Sequence, residues 1–232
     1  MQTAPSRKRI LSRGGRDALT GLALIAPTLV FFVVLVVWPL VHALYISLTD
    51  MNTMTLRGDF VGLANYQRLF ASEAFWVAFG NSAIWTVSSV VLQVTRGVAM
   101  ALALHGPLVG RSLARGLVLF PYLLTTAVAV LVWRWLLNDL YGVVNYVLLE
   151  YEIVDRPVAW FGRMPNAMIT TVLIGTWKLF PFVVIAVLAR LQTIPLHLYE
   201  AARIDGASAW SRFVDITLPQ LRSVLALVIV LR

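Results

Sequence analysis

The sequence predicts an all-α protein that crosses a membrane several times as a helical bundle. Three observations carry that prediction. First, its 232 residues are 59% hydrophobic and only 13% charged, with a mean hydropathy of +0.81. Soluble domains run at about 45–50% apolar and about 25% charged, so a soluble domain would lack the polar residues to cover this much apolar surface. Second, apolar runs of the length a membrane helix needs, about 20 residues, recur along the chain. Third, the net charge of +8 falls mostly between those runs, as the cytoplasmic excess of Lys and Arg in membrane proteins requires. The same numbers exclude intrinsic disorder. With no Cys there is no disulfide framework, thiolate metal site or Cys nucleophile, and the three His form no HExxH zinc site. The sequence calls for no cofactor and no metal.

The elements follow in order. Residues 1–17 form a basic tail carrying Arg7, Lys8, Arg9, Arg13 and Arg16. The first apolar run, 18–48, is too long for a signal peptide and is read as an uncleaved first span, with Pro27 marking a bend. A mixed polar segment, 49–73, leads to a second span at 75–104. A short basic turn holding Arg111 and Arg115 precedes a third span at 112–137. The segment 138–166 is again mixed, and the fourth span covers 167–191. A polar loop, 192–222, follows, and the last apolar run, 223–231, is too short to cross. The expectation is four complete spans plus the start of a fifth, in one membrane domain over 18–232. The tail, the 105–115 turn and the 192–222 loop are net positive and are placed in the cytoplasm; 49–73 and 138–166 carry slightly more acid than base and are placed outside. A chain ending partway across a bilayer would leave its terminus unsatisfied, so a partial form of a longer protein is expected.

Polar side chains inside spans usually face protein or water rather than lipid. Lys178 falls near the middle of the fourth span, one residue after Trp177 and three before Pro181. Pro181 frees the carbonyl of Trp177 and permits a kink. A central Lys beside a bent turn suits the wall of a translocation path; a Lys paired within the bundle is the plainer reading. In the second span Ser82, Thr86, Ser89, Gln93 and Arg96 form one stripe. Ser89 and Gln93 are candidate path residues on it, against the plainer reading of hydrogen bonding between helices. Arg96 is expected to snorkel toward the inner surface. Most of Trp38, Trp76, Trp85, Trp133, Trp135 and Tyr141 are explained by an interfacial aromatic belt. Catalytic signals are missing: the only lysines, Lys8 and Lys178, follow no Gly-rich loop, so no Walker A can form, and there is no GxSxG.

The loop at 192–222 is the informative part. Pro195 ends the fourth helix, and 198–205 is rich in helix formers. Gly206 suits a left-handed C-terminal cap. Ser208 suits the N-cap of a second short helix through Trp210 and Phe213, and Pro219 suits the first turn of the next span. Tyr199, Ala202, Trp210 and Phe213 supply apolar groups for a partner's groove. The alternative is an inert helix on the lipid surface.

Glu200-Ala201-Ala202, Asp205-Gly206-Ala207 and Ile216-Thr217-Leu218-Pro219 together resemble the EAA loop of ABC importer permeases. The chain is similar, more narrowly, to the carbohydrate-uptake permeases related to the maltose and glycerol-phosphate systems. Gly62-Leu63-Ala64-Asn65-Tyr66, the region Trp133-Arg134-Trp135 with Tyr141-Gly142-Val143-Val144-Asn145, and Trp177-Lys178-Leu179-Phe180-Pro181-Phe182 support the likeness, which covers essentially the whole chain. Ser223 stands where many such permeases have Pro, and the chain stops where they continue with most of a fifth core helix and a sixth. The resemblance implies the helical bundle of a type I importer permease in a cytoplasmic (inner) membrane of bacterial type, with the N-terminus inside. It implies a second homologous permease, two ATPase subunits, an extracytoplasmic solute-binding protein and a sugar or polyol solute, and no nucleic acid. By the same likeness Glu200, Ala201, Ala202, Asp205, Gly206 and Ala207 form the element that couples to the ATPase, and ATP hydrolysis belongs to that separate subunit. A secondary transporter or channel would instead show inverted repeats and acids at span centres; no acid is found there. An inactive permease fragment is the third reading.

Overall fold

The computed structural model describes residues 13–52, 57–106 and 109–232; the expected tail residues Arg7, Lys8 and Arg9 lie outside that range. Two compact units divide at Val77/Ala78, and each is described by itself.

In the first unit, α1 (Arg13–Phe32) passes through Pro27, makes a π-helical turn at Val33–Val37 and continues as α2 (Trp38–Ser47). Pro39 explains the turn. It lacks an N–H, and its ring crowds the carbonyl four residues back. Widening the turn, so that the Trp38 N–H reaches the Val33 carbonyl, relieves that conflict. Thr20–Ser47 is long and apolar enough to cross a membrane. The polar segment beyond it is not plain loop. Strand β1 (Thr49–Asn52) pairs antiparallel with β2 (Arg57–Phe60), Asp50 facing Asp59, and α3 (Ala64–Ala71) follows. Asn65 stitches the segment together, its Nδ2 donating to the carbonyls of Ser47 (3.0 Å) and Thr49 (2.9 Å). Tyr66 and Ser47 share a 2.8 Å hydroxyl contact.

The long helix α4 (Glu73–His105) carries the chain into the second unit. There α5 (Arg111–Leu123), α6 (Thr126–Leu136), α7 (Val143–Glu150), α8 (Asn166–Leu191), α9 (Leu196–Ile204), α10 (Ala209–Arg212) and α11 (Leu218–Val230) follow. The core lies where α4, α8 and α11 meet: Ala101, Leu104, Val183, Val187, Leu221 and Val228 are buried there. Close approach requires Gly97, because a Cβ at that position would fall 2.5 Å from the Val183 Cβ.

The helical membrane class stands, and two runs differ from expectation. The third is not straight: α5 and α6 meet at 95°. Leu124 and Thr125 are both extended (ψ 141° and 147°), shortly after Pro121, which contributes no donor to α5. The fifth begins early. A second π-helical turn, Phe213–Thr217, joins α10 to α11, so Ala209–Val230 is one 22-residue helix of crossing length. Pro219 again explains it, with the Leu218 N–H reaching the Phe213 carbonyl. The expected polar stretch to Arg222 is therefore mostly helix. Counting the bent pair, five crossings are available by length and composition among the described residues. In α8, by contrast, Pro181 lies inside an unbroken helix.

Candidate functional site

The 192–222 region builds an elbow. Helix α9 ends at Asp205, and Gly206 takes φ +77°. The Ala207 N–H donates to the Ala202 carbonyl (2.8 Å) and the Gly206 N–H to the Arg203 carbonyl (3.1 Å). This is the Schellman pattern, which satisfies carbonyls that the helix end would leave open. No atom lies within 4 Å of a Cβ built at Gly206, so glycine is needed there for its backbone rather than for space. Ser208 caps α10 as expected, its Oγ accepting from the Ser211 N–H at 3.1 Å. Arg212 closes the joint by donating to the Ala207 carbonyl at 3.0 Å.

The elbow is tied to the bundle at two points. Tyr199 and Thr217 share a hydroxyl contact of 3.0 Å. Arg190, at the end of α8, donates from Nε to the Gln220 carbonyl (3.0 Å), from Nη2 to the Gln220 side-chain oxygen (2.7 Å) and from Nη1 to Thr193 Oγ1 (3.1 Å). Glu200, Ala201, Asp205 and Gly206 are exposed, and Ala202 and Ala207 half-buried. Of the four apolar groups expected to fill a partner's groove, Trp210 is 72% exposed. Tyr199 does not join it: its ring is half-buried against the core, because its hydroxyl finds a partner inward. Leu196 and Ile204 are the other large exposed apolar groups of the elbow.

The candidate path residues fall into three places. Ser89 and Gln93 are 1% and 3% exposed, on the face of α4 that includes Gly97 and Ala101. Ser89 Oγ, Gln93 Oε1 and Thr176 Oγ1 are buried without a hydrogen-bond partner. The stripe is thus a seam between helices at its centre, open at its Arg96 end and at its Ser82 end. There Asn81, Ser82, Trp85, Thr86 and Thr171 border a cavity of about 570 Å³. Trp177 packs edge-on against Trp133, centroids 5.3 Å apart. With Arg96, Trp160 and Thr170 these rings border a second cavity of about 310 Å³. Trp133 is therefore a packed ring rather than part of an aromatic belt, and its Nε1 is buried without a partner.

Lys178 is paired within the bundle. Its Nζ donates to the Leu124 carbonyl at 2.7 Å, the carbonyl at the break between α5 and α6. A cation thus satisfies an acceptor that no helix uses. Around it are groups that single-chain spacing did not reveal. Phe182, one turn further along the same face of α8, has Tyr122 at 6.3 Å between centroids and the Arg232 guanidinium 4.4 Å from its ring centre. No periodicity links Tyr122, Phe182 and Arg232, because they come from three different elements.

In the segment between α6 and α8 Asn145 is a hub. Its Nδ2 donates to the carbonyls of Val158 (3.1 Å) and Asp139 (3.4 Å), and its Oδ1 accepts from the Val158 N–H (3.1 Å) and Trp160 Nε1 (3.0 Å). Gly142 before it has no room for a Cβ, which would meet backbone atoms of Asn138.

Comparison with known proteins agrees with this architecture. Residues 93–232 match the family described as binding-protein-dependent transport system inner membrane component. The chain is 36% identical over 217 residues to the trehalose/maltose transport system permease protein MalF of Thermococcus litoralis, covering 94% of this chain and 73% of that protein. It is 32% identical to the sulfoquinovosyl glycerol transport system permease protein SmoG of Agrobacterium fabrum, over 93% of this chain and 70% of that one. In structure it is similar to a chain of a bacterial ABC transporter that imports the acidic polysaccharide alginate, with a TM-score of 0.81, 23% identity, and coverage of 97% of this chain and 75% of the other. That likeness is one of fold. Its helices, its elbow and its relatives together make this chain a transport component rather than an enzyme, and it belongs to the binding-protein-dependent transport system inner membrane components, the permeases of ABC importers.

Proposed function

We propose that the chain is half of the translocation path of an ATP-driven importer for a sugar or related polyol, and that the α9–α10 elbow docks on a separate ATPase. The observation that carries this reading is the elbow itself. It is Schellman-capped, exposes Glu200, Asp205 and Trp210, and is tied by Tyr199 to Thr217 at the foot of α11, a helix that Arg190 in turn joins to α8. Such a piece transmits force, because moving the docked elbow must move both helices it is tied to. Closure of the ATPases around nucleotide then rocks the two permease halves between inward-open and outward-open states. A solute bound differently by those states couples its movement to the cycle.

The partners in this reading are those the family likeness implies: a second homologous permease completing the path, two ATPase subunits beneath, and a binding protein delivering solute outside. The elbow then lies in the cytoplasm with the N-terminus, and the membrane is the inner membrane of a bacterial-type cell. The carbohydrate class is supported by the relatives, which are trehalose/maltose, trehalose and sulfoquinovosyl glycerol permeases. Lys178 and Trp177 on α8, both half-buried, line the path in this reading, while Ser89, Gln93 and the fully buried Pro181 support it from the packed side. The test is affinity isolation from detergent-solubilised membranes, with the neighbouring transport genes co-expressed, followed by an ATPase assay. Recovery of a second permease and an ATPase whose turnover rises with solute-loaded binding protein is the expected result. Recovery of the chain alone overturns the reading.

A further inference from the structure

Where α4, α5 and α8 come together at the end nearest the elbow, they leave a cavity of about 240 Å³. Its lining is graded. Arg115, in the second turn of α5, and Gln192, just past the last residue of α8, border it at that end. Leu119 lies one turn further along α5, about 6 Å deeper, and Ile185 lies two turns back along α8, about 10 Å deeper. Leu104 and Leu188 add to this apolar wall, and no Asp or Glu borders the cavity. Ile185 is 45% exposed, so the cavity opens at the surface of the bundle. Arg115 is half-buried, and its charge is poorly answered. Among the described residues its one hydrogen bond runs from Nη2 to the Leu104 carbonyl at 3.5 Å, beyond the usual range for such a contact. Its Nε is buried with no partner. An Arg that merely snorkelled would carry its whole head group out to water. A buried donor without an acceptor is costly, and the guanidinium fork matches the paired oxygens of a phosphate.

We propose that this cavity is a lipid site. It takes an anionic phospholipid from the leaflet on the elbow's side, with the phosphate on Arg115 and part of one acyl chain against Leu119, Ile185 and Leu188. This rests on the membrane class of the chain and on neither the solute nor the ATPase. The gradient of the lining selects the occupant. A soluble anion would use Arg115 and leave the apolar wall bare, and a neutral hydrophobe would fill the wall and leave Arg115 unanswered. Size points the same way. Small-molecule pockets run at about 300–1,000 Å³, and this smaller cavity suits one linear chain better than a ring system. Charge decides the head group. The turn leading into α5 adds Arg111 and has no acid between His105 and Arg115, which favours a net negative head group over a zwitterionic one. Basic pockets between membrane helices bind anionic head groups by the same logic.

The test uses the full-length protein in phosphatidylcholine nanodiscs. A trace of phosphatidylglycerol or of phosphatidylcholine carries a photoactivatable diazirine in its acyl chain, and cross-linked residues are mapped by peptide mass spectrometry. Leu29 on α1 and Leu40 on α2, both exposed, report ordinary surrounding lipid. At Leu119, Ile185 and Leu188 the phosphatidylglycerol probe is expected to label about five- to thirtyfold more than the phosphatidylcholine probe, against a ratio near one at Leu29 and Leu40. R115Q is expected to bring the cavity ratio to about one, while R115K keeps most of it. Ala189→Trp, which fills the cavity and keeps Arg115, is expected to lower labelling there by both probes. The ratio is the informative quantity: a disturbed fold alters labelling by both lipids alike, whereas removing the charge weakens only the anionic one. Labelling of the cavity by neither probe, as when another part of the assembled protein closes it, overturns the proposal. So does a cavity ratio equal to that at Leu29 and Leu40, a ratio that survives R115Q, or displacement of the phosphatidylglycerol probe by excess inorganic phosphate.

Discussion

Replacing Gly206 tests the elbow most directly. The residue sits at φ +77° with no atom within 4 Å of where a Cβ would be. A larger side chain therefore meets no clash, and the whole effect is conformational. A non-glycine residue in the left-handed region costs about 1–2 kcal/mol, and a β-branched one more, since it is a true outlier there. If the chain escapes that strain by straightening, it loses the Ala207–Ala202 and Gly206–Arg203 hydrogen bonds, each worth about 1 kcal/mol. For Gly206→Ala the ratio of bent to straight elbow should fall about 5- to 30-fold. Gly206→Val should fall further, and Gly206→Asn least, because Asn tolerates the left-handed region. Since only the bent form docks in this account, affinity for the isolated ATPase should fall by up to that factor, in proportion to the bent fraction lost. The assay is binding of purified ATPase to the permease pair in nanodiscs, with protease protection reporting membrane insertion. Insertion should be unchanged in all three variants. Gly206→Val binding within twofold of the parent, with normal solute uptake, would refute the argument that the elbow must be preformed.

Two further predictions concern the ties around the site. Arg190→Ala removes a fork that joins the end of α8 to Gln220 and should cost about 2 kcal/mol; solute-stimulated ATPase turnover should drop more than ATPase binding, and an unchanged stimulation would show that the fork carries no coupling. Asn145→Ala leaves the Val158 N–H and Trp160 Nε1 without their acceptor and should cost about 2–4 kcal/mol; faster hydrogen exchange at Val158 is the expected reading, and unaltered protection would count against the hub.

The sequence was most legible where the signal is local. A membrane span announces itself through about 20 consecutive apolar residues, and the ends found for α4 and α8 lie within two residues of those expected. The elbow was legible too, because a left-handed glycine and a Ser cap act on backbone groups only a few positions away. Pro121 and Pro219 were visible, but not what each would do. One precedes a 95° break and the other is absorbed by a π-helical turn within a continuous helix. Pro181 interrupts neither helix nor packing. A missing N–H can be answered in several ways, and its neighbours in space select among them.

By itself, then, the sequence determined the solvent of this protein, its helical class and the elbow between α8 and α11, since each depends on composition or on residues within a turn or two. Tertiary structure alone decided the role of its polar side chains. Ser89 and Gln93 face α8 in a tight seam because Gly97 lets the helices approach. Lys178 finds the carbonyl of Leu124, 54 positions earlier, because the break between α5 and α6 leaves that oxygen open beside it. Arg232 meets Phe182 and Leu179 only because α11 packs on α8. Such pairings follow from which helix surfaces come together, and no pattern along a single chain encodes that distance.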